Sequence, residues 1–488
     1  MTDPNDIKRQ DAAAAFEAAL AGLDRLLVLE PAHQWARTHR AALLCAAGRV
    51  AEAVADFTAV LGLHPDDVAA LAGRGGAFWM LDRLDAAAAD LDRALVLDPG
   101  HVSALVDRAN VFQEQYRYAE ALALYDRALA LRSDDPAALA NRGATLREMG
   151  RYADALDACR HAHAVRPEDA DTALNLAMCL LQMGIWQEGW ATYEARLRRP
   201  PWSEAMAGFT APQWDGRADL AGKLVLLVGE QGLGDTIQFC RFAHRVADRG
   251  ATVILGVEPP LRRLMTGLDG VAAVAVPGDA DPDYDFFCPL MSLPVRLGLT
   301  PADVGMAPYL RADAACVAAW RLRLAVLPGL KVGLVWAGER RAHDRMALRT
   351  DRRRSVALER LAPLFDVPGV TFVSLQKGAA GGQAVGWPVV DWTAELEDFA
   401  DTTALIAALD LVISVDTSVA HAAGALGRPV WVLNRFDRCW RWLADRTDSP
   451  WYPTMRLFTQ ATPGVWDDVV AAVAAALGQA ASGTVQAS

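Results

Sequence analysis

The chain has 488 residues, a formal net charge of −12 and 53% hydrophobic residues, so it is long enough for two or three domains with cores of their own. The acidic balance argues against a general nucleic-acid binder, which needs a basic field to meet phosphates. No run of about 18 apolar residues could cross a bilayer, and the polar residues 1–11 do not read as a signal peptide. Its seven cysteines form no C-x-x-C pair that would indicate structural zinc or a disulfide framework. A cytoplasmic protein without a metal site is expected.

Prolines fall at Pro31, Pro65, Pro99 and Pro167, in steps of 34, 34 and 68, with Ser133 filling the missing step. The same period puts Ala53, Ala87, Ala121, Ala155 and Gly189 in register, and likewise Val50, Leu84, Tyr118, Tyr152 and Trp186. This is the length and pattern of a tetratricopeptide repeat. The small residues let two helices approach closely, and the large ones fill the gap near the turn between them. Each proline stands before a following helix, where its missing N–H does least harm. Phe57, Leu91 and Tyr125 recur as second-helix core residues. Residues 12–29 read as a lone second helix, so residues 1–200 predict an all-α solenoid of about five helix pairs plus a leading half. Its concave face would bind a protein or peptide. A spacer or dimerisation element is the alternative, because repeat identity alone does not specify function. His161 and His163 do not share a helix face, which speaks against a metal there.

Residues 201–221 break the period with Pro201, Trp202, Pro212, Trp214 and Gly216, and the tryptophans predict an ordered connection. From residue 224 the pattern alternates between strands and helices. Strands are expected at 224–228, 252–257, 271–276 and 286–289, with a helix at 238–249, in a first lobe over 222–311. A connecting helix falls within 312–329. Further strands at 331–336, 370–375, 389–391, 411–414 and 430–433 build a second lobe over 330–488, and an alanine-rich helix at 465–477 is expected to pack back across the lobes. Two successive α/β units imply a cleft between them.

Two stretches carry chemistry. Residues 224–243 read LVLLVGEQGLGDTIQFCRFA, an apolar strand, a loop with Gly229, Gly232 and Gly234, and a helix for which Asp235 and Thr236 offer a cap. The spacing fits neither the dinucleotide fingerprint nor a P-loop. Asp235 is either a plain cap or a catalytic base, and this stretch leaves both open. In the second lobe the strand 411–415 runs into Asp416-Thr417-Ser418 and a helix carrying His421. Hydroxyls and free N–H groups at such a helix start suit a diphosphate. Read singly, Asp416 or Thr417 is a cap and His421 a core histidine. Lys377, before Gly378, Gly381 and Gly382, either reaches a phosphate or is a solvated surface charge. The basic run 340–354 follows a strand of the same lobe, and either faces the cleft or is a solvated loop.

Seven ordered segments carry a family resemblance: PQWDG from Pro212, GEQGLGDTIQFCRF from Gly229, VGLVWAG from Val332, RRRSVALERL from Arg352, SLQKG from Ser374, SVDTSVAHAAGALGRPVWV from Ser414 and WRWLADRTDSPWYPTMR from Trp440. Over about 212–460 the chain resembles bacterial tetratricopeptide-repeat glycosyltransferases, whose catalytic part is similar to the ADP-heptose:lipopolysaccharide heptosyltransferases. The resemblance implies a GT-B fold of two Rossmann-like lobes and inverting, metal-independent transfer from a nucleotide-sugar. By that similarity Asp235 would be the general base. Asp416, Thr417, Ser418 and His421 would surround the donor's diphosphate and ribose, Arg354 or Lys377 would neutralise the leaving nucleotide, and Gly232, Gly234, Gln238 and Trp336 would complete the donor site. Ser418 stands where heptosyltransferases commonly have glycine, and arginines occupy a loop where they commonly have lysine. These departures, with a short first lobe, point away from heptose. The joined repeat array resembles that of protein O-glycosylating enzymes, which implies a protein acceptor such as flagellin or another surface protein. The alternatives are a non-catalytic scaffold that binds a nucleotide-sugar, and a transferase acting on lipopolysaccharide or polysaccharide.

Overall fold

The computed structural model describes the backbone of residues 4–305, 308–339 and 345–486, with side chains over 15–305, 308–339 and 346–483. The chain forms two compact units, Met1–Pro167 and Glu168–Ser488.

The first unit is helical: α1 (Pro4–Leu29), α2 (Gln34–Ala46), α3 (Val50–Leu63), α4 (Val68–Met80), α5 (Leu84–Leu97), α6 (Val102–Glu114), α7 (Tyr118–Leu131), α8 (Pro136–Glu148) and α9 (Tyr152–Val165). Each first helix of a pair begins after a side chain that accepts from a first-turn amide: His33, Asp67, His101 and Asp135. Those caps recur at the repeat period. Ala53, Ala87, Ala121 and Ala155 are fully buried, as the close approach of paired helices requires, and Phe57, Leu91 and Tyr125 fill the core beside them. Arg40–Asp56, Arg74–Asp90, Arg108–Asp92 and Arg142–Asp126 pair at 2.7 Å each, a ladder of ion pairs with arginine in step with the repeat.

The second unit opens with a further helix pair, α10 (Ala170–Gln182) and α11 (Trp186–Tyr193). Compactness therefore divides the chain before this pair, whereas the repeat period carries it with the array to residue 200. The reason is aromatic packing: Trp186 stacks on Trp451 at 5.1 Å, and Trp190 meets Phe239 and Trp440 edge-on at 5.7 and 5.2 Å.

Two parallel sheets follow. β1 (Leu224–Val228), β2 (Thr252–Gly256), β3 (Ala273–Ala275) and β4 (Phe286–Pro289) lie in the order β3-β2-β1-β4. β5 (Leu330–Val335), β6 (Val370–Ser374), β7 (Val389–Val390), β8 (Leu411–Val415), β9 (Val430–Asn434) and β10 (Met455–Thr459) lie in the order β10-β9-β8-β5-β6-β7. With their covering helices they make an α/β unit. The connection to them is ordered: Trp214 is buried, its N–H donates to Phe287 O at 2.8 Å, and Phe209 stacks on Phe287 at 4.1 Å.

Three local expectations are corrected. The helix expected at 238–249 begins earlier, as α12 (Leu233–Phe239), and tightens through a 3-10 turn at Cys240–Phe242 before Ala243–Ala247. Asp235 therefore sits inside the first turn and Gly232 takes the cap position, so the cap reading of Asp235 is wrong. β10 was not expected, because Arg456 interrupts its apolar run. That arginine lies over the rings of Phe458 and Trp431, at 4.4 and 5.8 Å, on an edge strand. Of the basic run, residues 340–344 lie outside the described residues, and the rest is a helix, α13 (Arg345–Arg354), rather than a loop.

Candidate functional site

In an open parallel sheet, ligands bind beyond the carboxyl ends of the strands where the strand order reverses. In the first sheet the chain moves from β1 outward through β2 and β3, then returns to the other side of β1 as β4. The reversal lies between β1 and β4, beside the loop that runs from Glu230 to Asp235. In the second sheet it lies between β5 and β8, beside Trp336–Gly338 and Asp416–Ser418.

The first loop is held from below. Gln231 takes a left-handed conformation with φ 66°, uncommon for a non-glycine residue. Its side-chain amide donates to the Tyr193 hydroxyl at 2.9 Å. Glu230, wholly buried, receives Arg196 at both oxygens, 2.8 and 2.7 Å, and the Met291 N–H at 2.9 Å. Arg196 also reaches Ser292 at 2.8 Å and Glu194 at 2.7 Å. Above this base Asp235 pairs with Arg441, which donates to Gln238 Oε1 at 3.0 Å and to Cys439 Sγ at 3.2 Å and covers the Trp440 ring at 4.3 Å. Burial is the largest single influence on Arg441 and opposes its charge, but the Asp235 carboxylate, with Cys439 and Tyr193, together outweighs it and holds the guanidinium more firmly protonated than a free arginine.

The second loop leads into α14 (Ser418–Ala425). Thr417 precedes it, yet its side chain makes no capping bond and its hydroxyl instead meets Ser414 at 3.0 Å. The backbone carbonyl of Asp416 accepts Arg354 Nη1 at 2.8 Å. His421 is buried, with Nδ1 2.9 Å from the Tyr452 hydroxyl and its ring stacked on Trp442 at 5.4 Å. Burial pushes its pKa down to about 3, against the pull of Asp416 and with help from the positive charges of Arg441, Arg241 and Arg354. His421 is therefore neutral, a packing and hydrogen-bonding group.

The two loops meet. A Cβ added at Gly234 would lie 3.0 Å from His421 Cδ2, 3.3 Å from Ser418 Cα and 3.6 Å from Ser418 N. The contact brings Asp235, Gly234, Gln238 and Arg441 together with Ser418 and His421, and through the Asp416 carbonyl with Arg354. Trp336, at the end of β5, is fully buried, and its backbone N–H donates to Gln376 Oε1 at 3.0 Å. Gly232 spends its own N–H on Glu230 O at 2.8 Å. Lys377 is not brought to the cluster: its ammonium donates to the carbonyls of Thr393, at 3.1 Å, and Leu396. Arg441, Arg196, Glu230 and Tyr452 were missed from sequence. Arg441 and Tyr452 lie in the WRWLADRTDSPWYPTMR segment that helps carry the resemblance, which was the available signal. Among the described residues there is no metal-binding group of three or more His, Cys, Asp or Glu, and no helix is long and apolar enough to cross a membrane.

Known proteins resemble parts of this chain. The tetratricopeptide repeat family matches residues 40–102, and the family of anaphase-promoting complex, cyclosome, subunit 3 matches residues 114–195. Protein FlbA of Caulobacter vibrioides is 31% identical over 325 residues, which are 59% of this chain and 52% of that protein. The chain thus spans about half the length of this relative. Among solved structures, a thermophilic tetratricopeptide-repeat protein of Thermus thermophilus is 19% identical, covering 36% of this chain and 95% of that one, with a TM-score of 0.33. PilW, a widely conserved type IV pilus biogenesis factor, is 20% identical, covering 42% of this chain and 100% of that one, with a TM-score of 0.35. The N-terminal region carries tetratricopeptide repeats.

Proposed function

We propose that this protein is a glycosyltransferase with a GT-B catalytic half, moving a sugar from a nucleotide-sugar to an acceptor hydroxyl on a protein that its repeats recruit, in the cytoplasm. The observation that carries the reading is the approach of Gly234 to Ser418 and His421, which sets one carboxylate, Asp235, beside the reversal point of the second sheet. Such a site has what inverting transfer needs: one base for the acceptor hydroxyl, and donors and cations where phosphate charge develops. Asp235 takes the acceptor's proton as its oxygen attacks the anomeric carbon. The free N–H groups at the start of α14 and the guanidinium of Arg354 support the leaving diphosphate. The heptosyltransferase-like pattern implies inversion without a metal, and the repeats point to an acceptor such as flagellin or another surface protein.

A scaffold that binds a nucleotide-sugar without turnover is the second reading. It is favoured by the engagement of Lys377 with two carbonyls and of Asp235 with Arg441. Calorimetry with a panel of nucleotide-sugars on wild type and on Asp416→Ala, with hydrolysis followed in the same samples, separates them. Binding with slow hydrolysis, lost in Asp416→Ala, supports the transferase. Binding without any hydrolysis or transfer supports the scaffold, and no binding by folded protein removes both.

A further inference from the structure

The meeting point of the two loops holds a charge pair that glycosyl transfer does not by itself explain. A carboxylate bound to a guanidinium is a poor proton acceptor, yet Asp235 and Arg441 are paired with side chains only 20% and 11% exposed. Arg441 comes from the other side of the cleft. Its neighbour Trp442 stacks on His421 of α14, and the short turn Trp440–Trp442 fixes the guanidinium beside the start of that helix. The segment is held under strain. Leu443 has φ 57° with ψ 177°, a backbone conformation that is almost confined to glycine, and Asp445 has φ 49°. The N–H of Ala444 is tied to Gln182 O at 3.1 Å.

We propose that Arg441 is a counter-ion shared between Asp235 and the donor's diphosphate, neutralising the carboxylate until the donor binds and then turning to the phosphates, which frees Asp235 to act as base. This rests on the glycosyl-transfer reading and deepens it. The guanidinium is suited to the exchange because Nη1 faces Cys439 Sγ, a weak acceptor that a phosphate oxygen replaces with gain. Of the other cations assigned to the diphosphate from sequence, Lys377 is committed to carbonyls, and Arg354 divides its guanidinium between the Asp416 carbonyl and Asp351, so a second cation has work to do beside Arg354. In the reaction the acceptor's proton passes to Asp235 and its oxygen bonds to the anomeric carbon. The carbon–oxygen bond to the diphosphate breaks with its electron pair on the phosphate oxygen, whose new charge Arg441 meets. The donor must therefore bind before the base is competent.

The test is a double-mutant cycle on the full chain, read as the affinity for inorganic pyrophosphate by calorimetry. Arg441→Gln weakens binding about tenfold or more, the loss of a charge-assisted pair. Asp235→Asn tightens it about three- to tenfold, because the competitor is gone, and in the Arg441→Gln background that gain shrinks below about twofold. Equal tightening in both backgrounds would mean simple removal of negative charge and overturns the proposal, as does unchanged binding in Arg441→Gln or no binding by wild type and Asp235→Asn alike. If Arg441→Gln does not fold, Arg441→Met, which also removes the charge, carries the cycle with the same signs and the same refutation. Nucleotide-sugar turnover is read separately. A coupled cycle without turnover keeps the diphosphate role and removes the transferase, while turnover with an additive cycle keeps the transferase and removes the shared counter-ion.

Discussion

Arg196→Met isolates the energy that holds the loop from Glu230 to Asp235. The arginine is 4% exposed and the Glu230 side chain 0%, and the pair exchanges two hydrogen bonds of 2.8 and 2.7 Å. Removing the guanidinium leaves Glu230 with the Met291 N–H and a buried charge, which costs about 3–5 kcal/mol. Glu194 is spared that fate, since it keeps Arg296 at 2.6 Å and Ser292 at 2.7 Å. In Arg196→Met/Glu230→Gln the buried charge is gone while the glutamine carbonyl still accepts from Met291, so the double variant regains about 2 kcal/mol of the single's loss. Urea unfolding followed by tryptophan fluorescence reads this directly, because Trp186, Trp190, Trp440 and Trp451 pack in the same core. A cost below about 1 kcal/mol for Arg196→Met, or a double variant no more stable than the single, refutes the argument.

Three further outcomes follow from the same contacts. His421 has its folded pKa depressed from 6.5 to about 3, so the unfolded chain binds the extra proton between those values; stability is full above 6.5 and falls as pH drops, by up to about 1.4 kcal/mol per unit. His421→Gln flattens that slope, and an unchanged slope in acid unfolding curves counts against a buried neutral histidine. Gly234→Ala forces a methyl within 3.3 Å of the Ser418 backbone and costs about 1–3 kcal/mol in thermal unfolding, with weaker nucleotide-sugar binding; tolerance would mean that the loops are farther apart. Lys377→Met loses two carbonyl contacts, lowering stability by about 1 kcal/mol while leaving nucleotide-sugar affinity unchanged; a tenfold loss of affinity would return Lys377 to the donor site.

The repeats were legible because a period of 34 residues repeats its evidence, and the strands because parallel strands buried on both faces read as apolar runs. The caps at His33, Asp67, His101 and Asp135 share that period, but two residue types alternate there and hide it. The start of α12 was misplaced because its cap, Gly232, has no side chain to announce it and an aspartate suits the first turn as well as the cap. The sequence leaves Lys377 between a phosphate and solvent, because a flexible ammonium behind a strand can go either way, and its partners are instead carbonyls 16 and 19 residues further on. Arg441 was out of reach for another reason. Its partner is 206 residues earlier in the chain, and only the fold brings the two together.

The glycine loop fits neither nucleotide fingerprint, and its backbone donors show how it differs from one. A phosphate cradle leaves backbone N–H groups pointing at the ligand. Here Gly229 donates to Gly256 O at 2.8 Å and Gly232 to Glu230 O at 2.8 Å, so those donors are spent within the first lobe. The missing side chains serve approach instead. A Cβ at Gly229 would come within 2.8 Å of Thr236 Oγ1 and 3.2 Å of Gly256 O, and one at Gly234 would press on Ser418 and His421. The loop is thus fixed from three directions: by Arg196 and Tyr193 beneath it, by Arg441 beside it and by the start of α14 across the cleft. What it brings to the meeting point of the two loops is one carboxylate, Asp235, already held by Arg441.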